Sequence, residues 1–240
     1  MKKNIFILAL STYALFSCNE KISKEGNIIV EGEIKSLKQG TLYFQRYEDF
    51  KLHTLDSVVI KGNSTFKTAI QLDEPEMIFL TLNRGTSLSE DNHIMFFAEP
   101  GTIEIKSSLD RFYYDAKISG SKNQEIYDKY TATKKNFVEK KNDLIKDQLL
   151  ASKNRNIHKA DSLLKQINHY DSRIHLNAVN FALKNPNAIA SAYITLTDVI
   201  PFSDRYLDTI YNSLTPDVKN HKYGLLIKDY KNSLKQEVMR

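Results

Sequence analysis

The chain has 240 residues, of which 41% are hydrophobic and 26% are charged, and a formal net charge of +5. This length and composition are ordinary for a folded protein with one large domain or two modest ones, and so weak a positive excess does not favour nucleic acid as a partner. The single cysteine excludes a disulfide within the chain and redox chemistry by a cysteine pair.

The first 18 residues have the features of a bacterial lipoprotein export signal. Two lysines precede a short apolar run, and the sequence LFSC that ends at Cys18 has the pattern of a lipobox. The apolar run is too short to cross the roughly 30 Å of a bilayer core comfortably as a helix. We therefore expect residues 1–17 to be a signal peptide that is removed and Cys18 to carry lipid. An uncleaved N-terminal anchor helix is the alternative.

Residues 18–27 are polar and lack periodicity, which is typical of a short tether between a lipid anchor and a fold. Acyl groups on Cys18 would attach the protein firmly to the membrane, because each buried methylene adds about 0.8 kcal/mol of membrane affinity. The membrane is therefore one expected partner, through the anchor at Cys18. We expect the protein to lie in the cell envelope, anchored to a membrane and facing the periplasm or the cell surface. The outer membrane is the preferred location.

Residues 28–118 have the pattern of an antiparallel β domain. Apolar and polar residues alternate along the opening sequence IIVEGEIK, which is the period of a half-buried strand. The sequence KGN at 61–63 predicts a tight hairpin, and the continuous apolar run over 77–82 predicts a central strand covered on both faces. Short strands with turn signals roughly every 8–12 residues predict a sandwich or a partly open barrel, closed by a strand over 113–118.

The pattern changes to helical periodicity over residues 119–240. Ser121, with Gln124 three residues later, predicts a capping box at the start of a helix. Apolar residues then recur at helical spacing in two long segments separated by a polar break near 152–156, which predicts a helical hairpin that ends before Pro186. Three shorter helices are predicted to follow, over 188–199, 203–213 and 217–236. The predicted fold class is α+β: an N-terminal antiparallel β-sandwich-like domain, then a C-terminal helical domain.

Several short motifs occur in an order and spacing that resemble a known lipoprotein architecture. They are VEG at 30–32, LDS at 55–57, FAEPG at 97–101, ISGS at 118–121 and NPN at 185–187. Across residues 27–240 the chain resembles the uncharacterised N-terminal domain (domain of unknown function 4369) of bacterial envelope lipoproteins that usually continue into a thioredoxin-like domain of the TlpA/ResA type. In that family a Trp-Cys-x-x-Cys motif follows the helices, whereas these 240 residues contain no tryptophan and no second cysteine.

The resemblance therefore implies the accessory half of such a protein without its redox half. It implies no catalytic residue and no cofactor, because the accessory domain has no established chemistry. On this basis we expect a non-enzymatic accessory, binding or scaffolding module whose candidate protein partner in the envelope is a separate thioredoxin-like protein. An oligosaccharide- or peptide-binding lipoprotein is the alternative.

The aromatic residues near the second strand form a candidate ligand face. Strand alternation sends Tyr43 and Tyr47 to one side of the sheet and Phe44 to the other, and one of the two sides must be core. A sugar or a peptide could stack on Tyr43, Tyr47 and Phe50. Core packing is the simpler interpretation of the same residues.

Other chemistry-bearing residues lack a recognisable pattern. A helical metal site needs histidines three or four residues apart, which is not the spacing of His53, His93, His158, His169, His175 and His221. Asp56 and Ser57 are a candidate pair for a hydrolase, but no histidine stands in triad order with them. A polar pair at a strand end is the simpler interpretation of these two residues.

The first long helix and the loop after it are rich in basic residues, interleaved with acidic ones. The basic residues are Lys134, Lys135, Lys140, Lys141, Lys146, Lys153, Arg155 and Lys159. Such a pattern is typical of a solvated face with local ion pairs. Contact with anionic lipid headgroups is a second interpretation, since we expect the chain to be tethered at a bilayer.

Overall fold

The computed structural model describes residues 26–48, 51–83 and 92–238. Cys18 and Phe50 lie outside these residues. The described N-terminal part contains the strands β1 (Ile28–Lys35), β2 (Gln39–Glu48), β3 (Lys51–Lys61), β4 (Thr65–Ile70), β5 (Glu76–Asn83), β6 (His93–Ala98), β7 (Gly101–Ser108) and β8 (Lys117–Ser119). The expected strand over 113–118 is shorter, because Tyr113 and Tyr114 belong to a turn before β8.

The strands form two four-stranded sheets that pack face to face. The first sheet has the strand order β4-β1-β7-β8, and the second sheet has the order β3-β2-β5-β6. The tight turn at Pro100 does not join two paired strands: β6 belongs to the second sheet and β7 to the first. The chain therefore crosses from one sheet to the other at this turn. The predicted hairpin at 61–63 is wrong for the same reason: β3 pairs with β2 in the second sheet, whereas β4 pairs with β1 in the first, so the chain also crosses between the sheets there.

The crossing at Pro100 produces a further departure, from the predicted antiparallel arrangement. Strand β7 enters the first sheet parallel to β1, with Ile28 opposite Gly101 and Gly32 opposite Ile105. The first sheet is therefore mixed, because β1 and β7 are connected through the second sheet and not by a hairpin. The two backbones approach so closely at Gly32 that a Cβ atom there would lie 1.8 Å from the carbonyl oxygen of Ile105.

Alternate residues of both sheets fill the space between them. Val30 and Ile103 of the first sheet meet Phe44, Leu80 and Phe96 of the second, and all five side chains are fully buried in one cluster. The period of two along the sequence therefore separates core residues from outer-face residues.

The C-terminal part is helical. It contains α1 (Lys122–Lys153), α2 (Ile157–Lys184), α3 (Ile189–Ile194), α4 (Leu207–Ser213), α5 (Pro216–Asn220) and α6 (Lys222–Val238). A π-helical turn, Thr195–Val199, continues α3 directly. The fold is thus α+β, as predicted, and α1 and α2 form the predicted hairpin. The helix expected over 217–236 is instead divided at His221, whose extended backbone separates α5 from α6.

Ser121 and Gln124 start α1 and also join it to the second sheet. The Ser121 hydroxyl accepts a hydrogen bond from the Gln124 backbone N–H over 3.0 Å, as a cap does. The Gln124 side chain does not reach back to complete the capping box. Its carbonyl oxygen accepts a hydrogen bond of 2.8 Å from the backbone N–H of Phe97 in β6, and its amide donates to Asp128 over 2.7 Å.

The shorter helices pack on the outer face of the second sheet. Met77 and Phe97 point away from the sandwich core and are buried with Ala190, Tyr223 and Ile227 in a second hydrophobic cluster. The apolar run in β5 is therefore covered on both faces, as the sequence predicts.

The α1–α2 hairpin joins this body at one end. Ile126, Tyr127 and Tyr130 of α1 belong to clusters shared with the shorter helices. Toward the α1–α2 loop, the ion pair Lys141–Asp171 (2.5 Å) joins the two helices to each other. Of the helices in the described ranges, none is both long and apolar enough to cross a bilayer.

Candidate binding cleft

An apolar cleft of about 770 Å³ lies between the outer face of the second sheet and the helices. Its floor consists of alternate residues of two neighbouring strands: Met77 and Phe79 from β5, and His93 and Met95 from β6. These residues share a face because side chains alternate along a strand. The floor is thus the part of the outer face that the helices leave partly open. We call this site the tyrosine cleft.

Five tyrosines stand around this floor. Tyr193 of α3 and Tyr223 of α6 form the wall on the helical side, together with Leu196, Thr197 and Leu226. Tyr47 and the residue opposite it, Leu52, come from β2 and β3 at one end. Tyr113 and Tyr114 come from the turn before β8.

An aromatic cluster holds the helical wall in position. The Tyr193 ring packs edge-on against Phe97 at 5.6 Å and against Tyr127 at 6.0 Å, and it lies 5.3 Å from the Tyr223 ring. Edge-to-face pairs at these separations are stabilising beyond the area they bury. The Tyr223 hydroxyl also accepts a hydrogen bond of 2.9 Å from the backbone N–H of Met77, so the wall is fixed to the floor.

The π-helical turn places Leu196 and Thr197 at the cleft. Asp198 in this turn accepts a hydrogen bond from the Tyr130 hydroxyl over 2.8 Å and pairs with the Lys134 ammonium over 2.6 Å. Asp198 therefore ties the turn to α1. Single π-helical turns occur often at functional sites, because they shift the register of the side chains that follow.

The chemical character of the cleft is neutral and apolar. Of its described lining residues, none is aspartate, glutamate, lysine or arginine. Burial, with a smaller contribution from Asp198, raises the pKa of Tyr193 to about 12, so its hydroxyl stays protonated. The polar groups of the lining are phenols, one threonine and His93, whose Nδ1 lies 2.9 Å from the Thr81 hydroxyl. The cleft can thus hold an apolar group and offer a few hydrogen bonds.

The cleft is open to solvent along its rim. Tyr47, Leu52, Tyr114 and Leu226 each keep between 40% and 68% of their surface exposed. The floor is more buried, down to 2% exposure at Met77. The site is therefore a trough with a covered floor and exposed apolar sides.

The predicted ligand face is divided by this geometry. Tyr47 lines the cleft, and Phe44 faces the sandwich core, as strand alternation predicts. Tyr43 lies on the same outer face as Tyr47, half-buried opposite Thr81 and Ser57, and outside the cleft lining. Phe50 and the lipidation residue Cys18 lie outside the described residues.

The other candidate residues do not come together. Asp56 is buried and hydrogen-bonds the Thr68 hydroxyl, while the adjacent Ser57 is exposed on the opposite face of β3. His175 is buried and stacked on Phe202 at 4.5 Å. Within the ranges that the structure describes, no group of three or more histidine, cysteine, aspartate or glutamate side chains is placed to hold a metal ion.

Most of the cleft was not identifiable from the sequence. Tyr193 and Tyr223 lie more than a hundred residues from Met77, and helical periodicity marks them only as members of an apolar stripe. The one available signal was the apolar run over 77–82, which predicts that something covers the outer face of β5. It does not say where that cover leaves a gap.

Residues 28–127 match the model of a family described as Domain of unknown function (DUF4369). The matched range contains all the described strands and the start of α1, and with them the floor of the tyrosine cleft. The helical wall with Tyr193 and Tyr223 follows this range. No curated protein and no solved structure matches the chain.

Proposed function

We propose that this protein is a non-catalytic binding module that holds an apolar segment of a peptide or partner protein in the tyrosine cleft. The observation that carries the proposal is the cleft itself: about 770 Å³ of space on a sheet face, lined by tyrosine, methionine and leucine side chains without a formal charge among them. Such a lining recognises a ligand through apolar contact and not through charge.

The open shape favours a peptide segment over an enclosed small molecule. Small-molecule sites typically enclose the ligand and bury 70–90% of its surface. This cleft instead has exposed sides: four rim residues keep 40–68% of their own surface in contact with solvent. An extended segment could lay alternate side chains on Met77 and Met95 while its backbone stays near solvent. Methionine suits this use because its flexible side chain adapts to different partners, and tyrosine supplies rigid contact area at low entropic cost.

The same lining gives less support to an oligosaccharide. Sugars present many hydroxyl groups, and a site that desolvates them must return hydrogen bonds. Among the described residues, the lining has a few phenols, one threonine and one histidine, but no carboxylate or amide side chain. A peptide therefore matches the lining of the cleft better than an oligosaccharide does.

The cellular part of the proposal comes from the sequence. The lipobox pattern at Cys18 supports anchoring to a bacterial envelope membrane, the outer membrane first, with the fold facing the periplasm or the cell surface. The motifs that resemble TlpA/ResA-type lipoproteins, together with the matched range 28–127, support an accessory role beside a thioredoxin-like partner. In this proposal the cleft is the surface that such a partner occupies.

A peptide-binding measurement tests the cleft. The protein is the processed chain with Cys18→Ser, and the probe is a fluorescein-labelled decapeptide with leucine at alternate positions, followed by fluorescence anisotropy. Leu226 and Leu225 are neighbours on α6 with similar exposures of 52% and 45%, but only Leu226 lines the cleft. Leu226→Glu should weaken binding at least tenfold, because it places a charge against an apolar ligand. Leu225→Glu should bind as the parent does.

Equal loss of binding in the two variants, or no binding by the parent chain, would refute the peptide proposal. Calorimetry against peptidoglycan fragments tests the oligosaccharide alternative in parallel. A heat of binding that disappears in Leu226→Glu and remains in Leu225→Glu would show that the cleft binds a sugar.

A further inference from the structure

The α1–α2 hairpin extends well beyond the helices that it packs against. Its described contacts with the rest of the protein involve residues near its base, such as Tyr130 with Asp198 and His175 with Phe202. Beyond the Lys141–Asp171 ion pair, the two helices pack on each other through a small cluster of Leu144, Ala151, Ala160 and Leu163. At 1.5 Å per residue this outer part of α1 is about 20 Å long.

The free end of the hairpin exposes large apolar side chains. Leu149 and Leu150 of α1 are 61% and 50% exposed, and Ile157 and Leu164 of α2 are 69% and 47% exposed. The inner side of the same turns is occupied by small residues, Ala151 and Ala160, so these four side chains are not needed to close the hairpin. They form an apolar end with no covering element among the described residues.

Basic side chains surround this apolar end. Between residues 146 and 165 the cations are Lys146, Lys153, Arg155, Lys159 and Lys165, and the anions are Asp147 and Asp161, an excess of three positive charges. All seven side chains are exposed. Apolar residues surrounded by lysine and arginine are the composition of segments that lie in the headgroup region of an anionic bilayer.

We propose that the end of the α1–α2 hairpin binds an anionic lipid surface, with Leu149, Leu150, Ile157 and Leu164 entering the headgroup layer and the basic residues contacting lipid phosphates. Four apolar side chains are few for a stable protein interface, which usually takes roughly 20–30 residues on each side. A lipid layer needs no shape-matched partner surface. This inference goes beyond the tyrosine cleft and does not depend on the lipid at Cys18.

Vesicle co-sedimentation tests the proposal with the processed Cys18→Ser chain, which carries no lipid of its own. The vesicles are pure phosphatidylcholine, or phosphatidylcholine with 30 mol% phosphatidylglycerol. The parent chain should sediment with the anionic vesicles and not with the neutral ones. Ile157→Ser/Leu164→Ser should lower the partition coefficient at least tenfold. Leu176→Ser is the control, since Leu176 is a 42%-exposed leucine of α2 near the base of the hairpin.

Charge reversal at the hairpin end is the second arm. Lys153→Glu/Arg155→Glu/Lys159→Glu should abolish sedimentation, because each basic residue near an anionic surface contributes roughly fivefold to affinity. Lys117→Glu/Lys129→Glu/Lys228→Glu changes the net charge equally at exposed positions elsewhere and should retain most of the binding. Equal losses in both triple variants would show attraction by net charge alone and would overturn the proposal. The proposal would also be overturned if the parent chain did not bind anionic vesicles, or if the Ile157→Ser/Leu164→Ser variant sedimented with them as the parent does.

These vesicle results are independent of peptide binding. Loss of vesicle binding with intact peptide binding, or the reverse, identifies which of the two proposals fails. Concentration-dependent dimerisation that disappears in the Ile157/Leu164 variant would reassign the apolar end to contact with a second copy of the chain.

Discussion

The Tyr223 hydroxyl accepts a hydrogen bond of 2.9 Å from the backbone N–H of Met77, a residue 146 positions earlier in the chain. Met77 lies at the end of β5 where pairing with β2 has stopped, since the last described pair there is Arg46 with Ile78. The phenol thus satisfies a buried strand donor from the helical side. This hydrogen bond is one of the links that join the last helix to the sheet, and both of its residues line the tyrosine cleft.

Tyr223→Phe removes the acceptor and leaves the Met77 N–H buried. We expect the free energy of unfolding to fall by about 1–3 kcal/mol, the usual cost of an unsatisfied buried donor, with the fold retained because the ring stays. Urea unfolding followed by circular dichroism measures the change. Tyr47→Phe removes a phenol from a 55%-exposed side chain and should change stability by less than about 0.5 kcal/mol. Similar values for the two variants would contradict this assignment.

Glu76 is a second link between sheet and helices, as a buried carboxylate between two cations. It accepts from the Arg46 guanidinium over 3.1 Å and lies 2.5 Å from the Lys222 ammonium of α6. Glu76→Gln removes the buried counter-charge from both cations, although Arg46 keeps a longer contact of 3.9 Å with Glu48. We expect a loss of about 1–3 kcal/mol, since both cations also keep part of their solvent contact. Glu104→Gln breaks a more exposed pair with Lys106 and should cost less than about 1 kcal/mol.

We expect His175 to make the stability of the fold depend on pH. Burial lowers its pKa below the ordinary value of 6.5, although the nearby Asp198 backbone opposes this in part. Between pH 6.5 and the lower pKa of the folded state, the unfolded chain therefore binds more protons than the folded chain. In this range the free energy of unfolding decreases as the pH decreases, by at most about 1.4 kcal/mol per pH unit. His175→Phe keeps a ring against Phe202 and removes the titration. We expect the decrease in melting temperature between pH 7.5 and 5.0 to be smaller in this variant.

His221 contributes in the same direction and remains in that variant. Burial is the main cause that lowers its pKa, and its neutral ring accepts a hydrogen bond from the Tyr223 N–H while its other nitrogen lies 2.8 Å from the Pro75 carbonyl oxygen. Some acid sensitivity should therefore persist in His175→Phe. An unchanged pH profile in His175→Phe would exclude His175 as a source of the dependence.

Gly32→Ala tests the close approach of the two parallel strands. The added methyl group would meet the Ile105 carbonyl oxygen at 1.8 Å, so β1 and β7 must separate. We expect a loss of about 2 kcal/mol or more in urea unfolding, in the upper range for overpacked sites. Glu33→Ala, an exposed change at the next position of the strand, should cost less than about 0.5 kcal/mol. Comparable losses in both would remove the steric explanation.

Local patterns predicted the sandwich core well and the tertiary arrangement less well. Alternation alone separates Phe44, which is fully buried, from Tyr47, which is exposed, because a strand with one covered face must repeat every two residues. The parallel pairing of β1 with β7 had no such signal. It depends on the chain crossing between sheets at Pro100, and a Pro-Gly turn looks the same in sequence whether or not the flanking strands pair.

The break between α5 and α6 shows a tertiary contact overriding periodicity. The sequence 217–236 is helical in pattern throughout, yet His221 adopts an extended backbone. There its ring lies 2.8 Å from the Pro75 carbonyl oxygen, and Glu74 accepts a hydrogen bond from the Lys222 N–H at the start of α6. Both partners come from the segment before β5. The sequence of the helical region contains no pattern that predicts contacts with these distant residues. For the same reason, it does not predict that Tyr193 and Tyr223 line the cleft.

The parallel pair of β1 and β7 has a consequence for how the chain folds. It brings Ile28 beside Gly101, so the first sheet cannot close until residues more than 70 positions apart in the chain have come together. The α1–α2 hairpin, in contrast, needs only contacts between two helices that follow each other directly in sequence. Helices form in about a microsecond, whereas domains rich in long-range strand pairs fold in milliseconds to seconds. During refolding we therefore expect helical circular dichroism to recover before the amides of β1 and β7 become protected from hydrogen exchange, with Gly32 variants slowing only the later phase.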